Sequence, residues 1–191
     1  MGNIILASSS PRRKELLNIL GLEFIIDSSS VDETLPEGIS PELVVETLAC
    51  KKANAVAEKH PNSIIIGSDT IVVVDNLILG KPVNDDDALA MILKLQGRNH
   101  QVYSGISVID TNTGKHTIAH EITNVAFRNI SEEEALRYVA TSEPKGKAGS
   151  YAIQGYASIF VKRIEGDYFN VVGLPLFLLS NILNKYGVKV F

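Results

Sequence analysis

Apolar positions along the chain switch between two periods. Residues 3–7 form a short apolar run that predicts a buried strand. Ser8, Ser9 and Ser10 interrupt it. Pro11 then follows Ser10 as an N1 proline follows an N-cap serine, and Leu16, Leu17 and Leu20 recur at helical spacing before Gly21. This predicts a helix from Pro11 to about Leu20. A second strand near 23–28 completes a β-α-β opening. Ser40 and Pro41 start a longer helix to about Lys59, which His60 and Pro61 end. The β-branched stretch "IIIGSDTIVVVDN", residues 64–76, predicts a buried strand turned by Asp75 and Asn76 into "LILGKP".

The second half continues in mixed order. Asn84 to Leu95 predicts a helix ended by Gly97, and residues 100–110 and 116–128 alternate around Asn112–Gly114 as a long hairpin. Ser131 and Glu134 match a capping box, for a helix to about Thr141. A polar loop with Gly146 and Gly149 precedes predicted strands near 157–164 and 168–172, and Pro175 opens a last helix. No repeat and no linker composition interrupts residues 1–191. The pattern predicts one α/β domain with a mixed sheet rather than a strict βαβ array.

Composition narrows the functional classes. With 45% hydrophobic and 21% charged residues, the 191-residue chain is an ordinary globular sequence able to build a sizeable core. A net charge of −4 argues against a dedicated nucleic-acid binder, which spreads positive charge over a face. The single cysteine, Cys50, permits neither an intramolecular disulfide nor a cysteine-based zinc site, and suits a reducing, cytoplasmic setting. The opening apolar run is far shorter than a signal-peptide core and is followed, not preceded, by basic residues, so no membrane partner is expected.

Against that acidic balance, Arg12, Arg13 and Lys14 stand in the first turn of the predicted α-helix, where the dipole and unpaired N–H groups favour negative charge. They follow three hydroxyls and a strand. That combination points to a phosphate site, although the glycines of a Walker A loop are missing. On the predicted second helix, Lys52 projects near the middle of the face formed by Val44, Val45, Leu48, Ala55 and Val56, with Lys51 at its edge. It either snorkels at the rim of the core or works there. Asp69 breaks an apolar strand and must be paired, hydrogen-bonded or metal-bound. Lys81, held extended by Pro82, can return toward Asp69, and Glu33 in "VDET" offers a second carboxylate. Asp85, Asp86 and Asp87 are expected to be dipole partners of the following helix, and His60, His100, His116 and His120 have no metal-ligand spacing on a helix face. Cations at a helix start, inward lysines and a buried aspartate together suit polyphosphate chemistry, which gives a reaction class without a substrate.

The stretches "LASSSPRRKELL", "GSDTIV", "LGKP", "KAGSYAIQG" and "GLP", in that order, resemble the Maf family of nucleoside triphosphate pyrophosphatases from residue 4 to about 176. The resemblance implies a Maf/ITPase-like fold: an elongated mixed β-sheet with flanking helices forming two lobes around a cleft. It implies hydrolysis of a nucleoside triphosphate at the α–β bond to a monophosphate and pyrophosphate, with a divalent metal, Mg2+ or Mn2+, and a homodimeric state. Asp69 would be the proton acceptor; Ser8, Arg13, Lys52 and Lys81 would bind the phosphates; Glu33 would join Asp69 around the metal and water. Arg12, Thr70 and Gln154 match the specificity positions of the dTTP/UTP branch, and the sister branch acting on 7-methyl-GTP differs there. Departures from the family pattern are Ser68, Gly146, Ser150 and Ala152. Two other readings remain open at this point: a nucleotide-binding regulator of septation without turnover, and a house-cleaning pyrophosphatase of the 7-methyl-GTP or ITP type.

Overall fold

A computed structural model of the chain describes residues 2–28, 30–36 and 38–190. Its elements are β1 (Asn3–Leu6), α1 (Pro11–Ile19), β2 (Ile25–Ile26), α2 (Pro41–Ala57), β3 (Ser63–Val74), β4 (Leu77–Leu79), α3 (Asp85–Leu95), β5 (Asn99–Asp110), β6 (His116–Phe127), α4 (Glu132–Ala140), β7 (Val161–Glu165), α5 (Tyr168–Val172) and α6 (Leu176–Lys185). A mixed sheet of seven strands runs in the order β2-β1-β3-β5-β6-β7, with β4 paired to β3. β1 is parallel to both β2 and β3, Leu6 standing opposite Ile66 in the latter pair.

Local chemistry explains the boundaries. Ser40 Oγ accepts from Leu43 N at the start of α2, Asn84 Oδ1 from Asp87 N at α3, and Ser131 and Glu134 complete a reciprocal capping box at α4. Asp85, Asp86 and Asp87 occupy the first turn of α3, as expected for dipole partners. Asp75 and Asn76 both take positive φ, 50° and 60°, which is the two-residue turn whose twist suits a β3–β4 hairpin.

Three predicted strands are corrected. The one near 23–28 reduces to Ile25–Ile26. That near 157–164 divides into a 3-10 turn, Tyr156–Phe160, and β7. That at 168–172 is the helix α5, because "YFNVV" is a short apolar run whose period cannot separate strand from helix.

The chain forms two compact units. The first comprises Met1–Asp69, Ser104–Glu121 and Gly173–Phe191; the second comprises Thr70–Tyr103 and Ile122–Val172. In the first, Ile5, Ala7, Ala53, Val56, Ile65 and Ile109 make a common core. α2 lies close against β3 and β5 because both strands carry a glycine where it passes. A Cβ on Gly67 would collide with the Ala49 carbonyl, and one on Gly105 with the Val45 carbonyl. Val45, Ala49 and Ala53 are accordingly fully buried, whereas Ala55, placed on that face by the helical projection, is half-buried. In the second unit, His100, Phe127, Tyr151, Phe160 and Tyr138 join through edge-to-face ring contacts.

Candidate active site

Ser8 lies two residues past the end of β1 and is 7% exposed. Its Oγ accepts from Ser10 N at 3.2 Å and from Arg13 Nη1 at 3.3 Å. Ser10 has the extended backbone of an N-cap, yet its side chain makes no capping bond, and the first turn of α1 holds no acidic residue. The sequence thus places a cap residue correctly and leaves its usual bond unmade. Arg13 Nε donates to the Gly173 carbonyl at 2.9 Å. Burial pulls the Arg13 pKa below its ordinary value; Asp69 opposes that shift, Arg12 adds to it and Glu33 opposes it. A guanidinium remains charged regardless. Arg13 is therefore a half-buried cation in the field of two carboxylates.

Gly173 links this pair to β3. At φ 126° it occupies backbone space that disfavours side chains, and its carbonyl also accepts from Ser68 Oγ at 3.4 Å. Ser68, beside Asp69, is fully buried. Ser68 is one of the departures from the family pattern noted in the sequence, and its hydroxyl spends its proton on this carbonyl.

The close seating of α2 at Gly67 brings Lys52 to Asp69. Lys52 Nζ lies 2.5 Å from Asp69 Oδ1 and 2.8 Å from Glu33 Oε1. The two carboxylates thus converge on one ammonium, with Asp69 9% exposed at the end of a buried run and Glu33 on an exposed loop. Both expected alternatives for Asp69 that require no metal, pairing and hydrogen bonding, are realised. Lys51 Nζ meanwhile donates to the carbonyls of Asp32 and Thr34, on either side of Glu33.

This donor set fits a magnesium-like ion in one mode only. Among the described residues no group of three or more His, Cys, Asp or Glu could enclose a metal. Two carboxylate oxygens already drawn to one cation do match the mode in which Mg2+ or Mn2+ is held by one or two carboxylates, waters and substrate phosphates.

Arg12 is half-buried in the first turn of α1. The remaining predicted site residues belong to the second unit. Thr70 follows Asp69 on β3 and is half-buried; Lys81 is exposed between Gly80 and Pro82, past the end of β4; Gln154 is exposed in a turn closed by Gly155 N donating to Ala152 O at 3.0 Å. Gly149 N donates to Gly80 O at 3.0 Å, which ties the residue before Lys81 to the loop that carries Gln154. Glu143 holds that loop's far end: its carboxylate accepts from Tyr156 N at 2.8 Å, Ala157 N at 3.1 Å and Tyr138 Oη at 3.1 Å. Tyr138 Oη also donates to Ser150 O at 3.1 Å. Burial first, and Glu143 second, push the Tyr138 pKa well up, so the hydroxyl stays a donor. Gly155 lies against the Glu143 carboxylate, where a Cβ would clash.

Sequence reasoning assigned no role to Lys51, Gly67, Gly105, Gly173 or Glu143, although Lys51 was placed at the edge of the Lys52 face and Gly67 and Gly173 lie in the stretches that carry the resemblance. The two strand glycines carry a readable signal, since glycine inside an apolar strand marks close backbone approach. Glu143, an acid in a polar loop, carries none. Each histidine has a side-chain partner: Asp27 for His60, Tyr151 for His100, Ser107 for His116 and Glu46 for His120.

Among the described residues, no helix is long and apolar enough to cross a membrane. In overall fold the chain is similar to the Ham1 protein of Staphylococcus aureus, at a TM-score of 0.55 and 17% identity over 96% of this chain and 99% of that one. The HAM1 protein of Coxiella burnetii is similar at 0.53 and 16%, over 97% and 100%. Relatives in sequence lie much nearer. The dTTP/UTP pyrophosphatases of Pelotomaculum thermopropionicum and Desulforamulus reducens are each 50% identical over 190 residues, covering the whole of both chains. That of Clostridioides difficile is 47% identical over 184 residues, 96% of this chain and 95% of its own. The Maf-like protein family matches residues 3–186, a span that takes in every residue of the Ser8–Arg13 and Lys52–Asp69–Glu33 clusters. A family match over almost the whole sequence, together with full-length relatives at half identity, shows that the chain belongs to the Maf family.

Proposed function

We propose that this protein hydrolyses dTTP and UTP between the α and β phosphates, releasing the nucleoside monophosphate and pyrophosphate. The observation that carries the reading is the convergence of Asp69 and Glu33 on the Lys52 ammonium, with Arg13 in their field. Full-length relatives at about half identity that are dTTP/UTP pyrophosphatases support the substrate.

Asp69 accepts a proton from a water whose oxygen forms the new bond to a phosphorus of the α–β linkage, while the bridging P–O bond breaks and pyrophosphate leaves. Lys52 fixes the orientation of the Asp69 carboxylate through its 2.5 Å contact. Arg13 and Ser8 present donors to phosphate oxygens, and Arg13, half-buried, acts where its charge is screened less than in open water. Lys81 contributes a further phosphate contact. Asp69 and Glu33 would hold a Mg2+ or Mn2+ ion, which when bound neutralises phosphate oxygens and the charge that develops on the leaving group. Arg12, Thr70 and Gln154 select the pyrimidine base. A homodimer in the cytoplasm belongs to the same proposal.

The test is pyrophosphate release from dTTP, UTP, CTP, GTP, 7-methyl-GTP and ITP, each with Mg2+ and with Mn2+. Release from dTTP and UTP ahead of the others is expected. Preference for 7-methyl-GTP or ITP, or saturable binding with no product, would overturn the reading.

A further inference from the structure

Lys51 and Lys52 are consecutive on α2, about 100° apart around the helix axis. They grip one loop segment from two sides. Lys52 takes the Glu33 carboxylate at 2.8 Å. Lys51 takes the main chain around it: its Nζ donates to Asp32 O at 2.9 Å and to Thr34 O at 3.1 Å. Asp32 Oδ1 accepts from Thr34 N at 2.9 Å, closing a turn with Glu33 at its centre.

Something must fix that turn, because Glu33 lies in the connection between β2 and α2, where the described residues form neither helix nor strand. The Glu33 side chain is 48% exposed. An ion pair so open to water contributes little, so the Lys52 contact is a weak anchor. Two main-chain carbonyls held by one ammonium fix the peptides on both sides of Glu33, whose carboxylate is turned toward Lys52.

We propose that Lys51 is a positioning residue: it holds Glu33 against Lys52 and Asp69 and thereby sets the affinity of the carboxylate pair for a divalent cation. This rests on the reading of Asp69 and Glu33 as a cation-holding pair. Partners that orient metal-holding groups typically contribute 10–100-fold in affinity.

The experiment uses the full chain with Mn2+ alone, following free Mn2+ by electron paramagnetic resonance, and amide hydrogen exchange of residues 30–36 without metal or nucleotide. Lys51→Met keeps the aliphatic stem and helix propensity; Lys51→Arg keeps a cationic donor. Lys51→Met is expected to speed exchange in 30–36 and weaken Mn2+ binding about tenfold, and Lys51→Arg to restore most of both. In a Glu33→Gln background, Lys51→Met should weaken Mn2+ binding no further, because its effect passes through Glu33. Equal losses with and without the Glu33 carboxylate, or unchanged exchange and affinity in Lys51→Met while Glu33→Gln alone loses Mn2+, would overturn the role of Lys51. If Glu33→Gln leaves Mn2+ affinity unchanged, or the unaltered protein binds no Mn2+, the cation-holding pair itself is refuted and this role with it.

Discussion

Lys52 Nζ lies 2.5 Å from Asp69 Oδ1, with only 16% and 13% of the two side chains exposed. Neither group could be left in place alone without a cost, since a half-buried charge deprived of its partner loses both its hydrogen bond and its counter-charge. Lys52→Met should therefore destabilise the protein by about 1–3 kcal/mol at neutral pH, read by urea unfolding. Adding Asp69→Asn should recover part of that loss, because the stranded carboxylate is gone. Additive losses in the double variant would show that the two groups do not act as a pair.

Gly67 and Gly105 set how closely α2 approaches the strands, and so how far Lys52 reaches. Gly67→Ala and Gly105→Ala each place a methyl group against a helix carbonyl. Either should cost about 1–3 kcal/mol, the range for overpacking a close-packed interface, and lower turnover by displacing Lys52. Thermal melting and steady-state rates check this; an alanine variant with unchanged melting would contradict the close-approach account.

His100 is 2% exposed, its Nε2 is 2.8 Å from Tyr151 Oη, and its Nδ1 has no hydrogen-bond partner. Burial pulls its pKa from 6.5 down to about 4. The unfolded chain thus binds this proton at higher pH than the folded one, so the contribution to stability is fully present above pH 6.5 and is lost as pH falls toward 4. At about 1.4 kcal/mol per pH unit the whole loss is about 3 kcal/mol. Replacing the imidazole by His100→Asn should flatten the stability profile over that window. An equally steep profile in the variant would assign the acid loss to other groups.

The loop that carries Gln154 is fixed at its far end by Glu143, which accepts two main-chain N–H groups. Glu143→Gln turns one acceptor oxygen into a donor facing a donor. The preference for dTTP over CTP, measured as the ratio of kcat/KM values, should fall about tenfold, a change of about 1.4 kcal/mol in discrimination. An unchanged ratio would separate the loop's anchoring from base selection.

Most of the fold was legible because its signals are local. Caps at Ser40, Asn84 and Ser131, the Asp75–Asn76 turn and the β-branched run of β3 each state their own structure. The "YFNVV" segment failed because five residues contain too little period to separate strand from helix. Lys52 and Asp69 were legible as polar residues interrupting apolar patterns, which have to find partners. The roles of Lys51 and Glu143 were not, since both act through main-chain groups that no sequence pattern marks. Gly67 signals a close approach, yet which element approaches, the Ala49 carbonyl of α2, is a tertiary contact that no local pattern names.

A proton acceptor at Asp69, as proposed above, must lose its function when its basicity is removed. The most direct test is the rate of pyrophosphate release from dTTP by the unaltered protein and by Asp69→Asn, at saturating nucleotide with Mg2+ or Mn2+. Asp69→Asn keeps the shape of the side chain and removes its basicity. The account predicts a fall in kcat of about 10²-fold or more with dTTP still bound; turnover near that of the unaltered protein would contradict it.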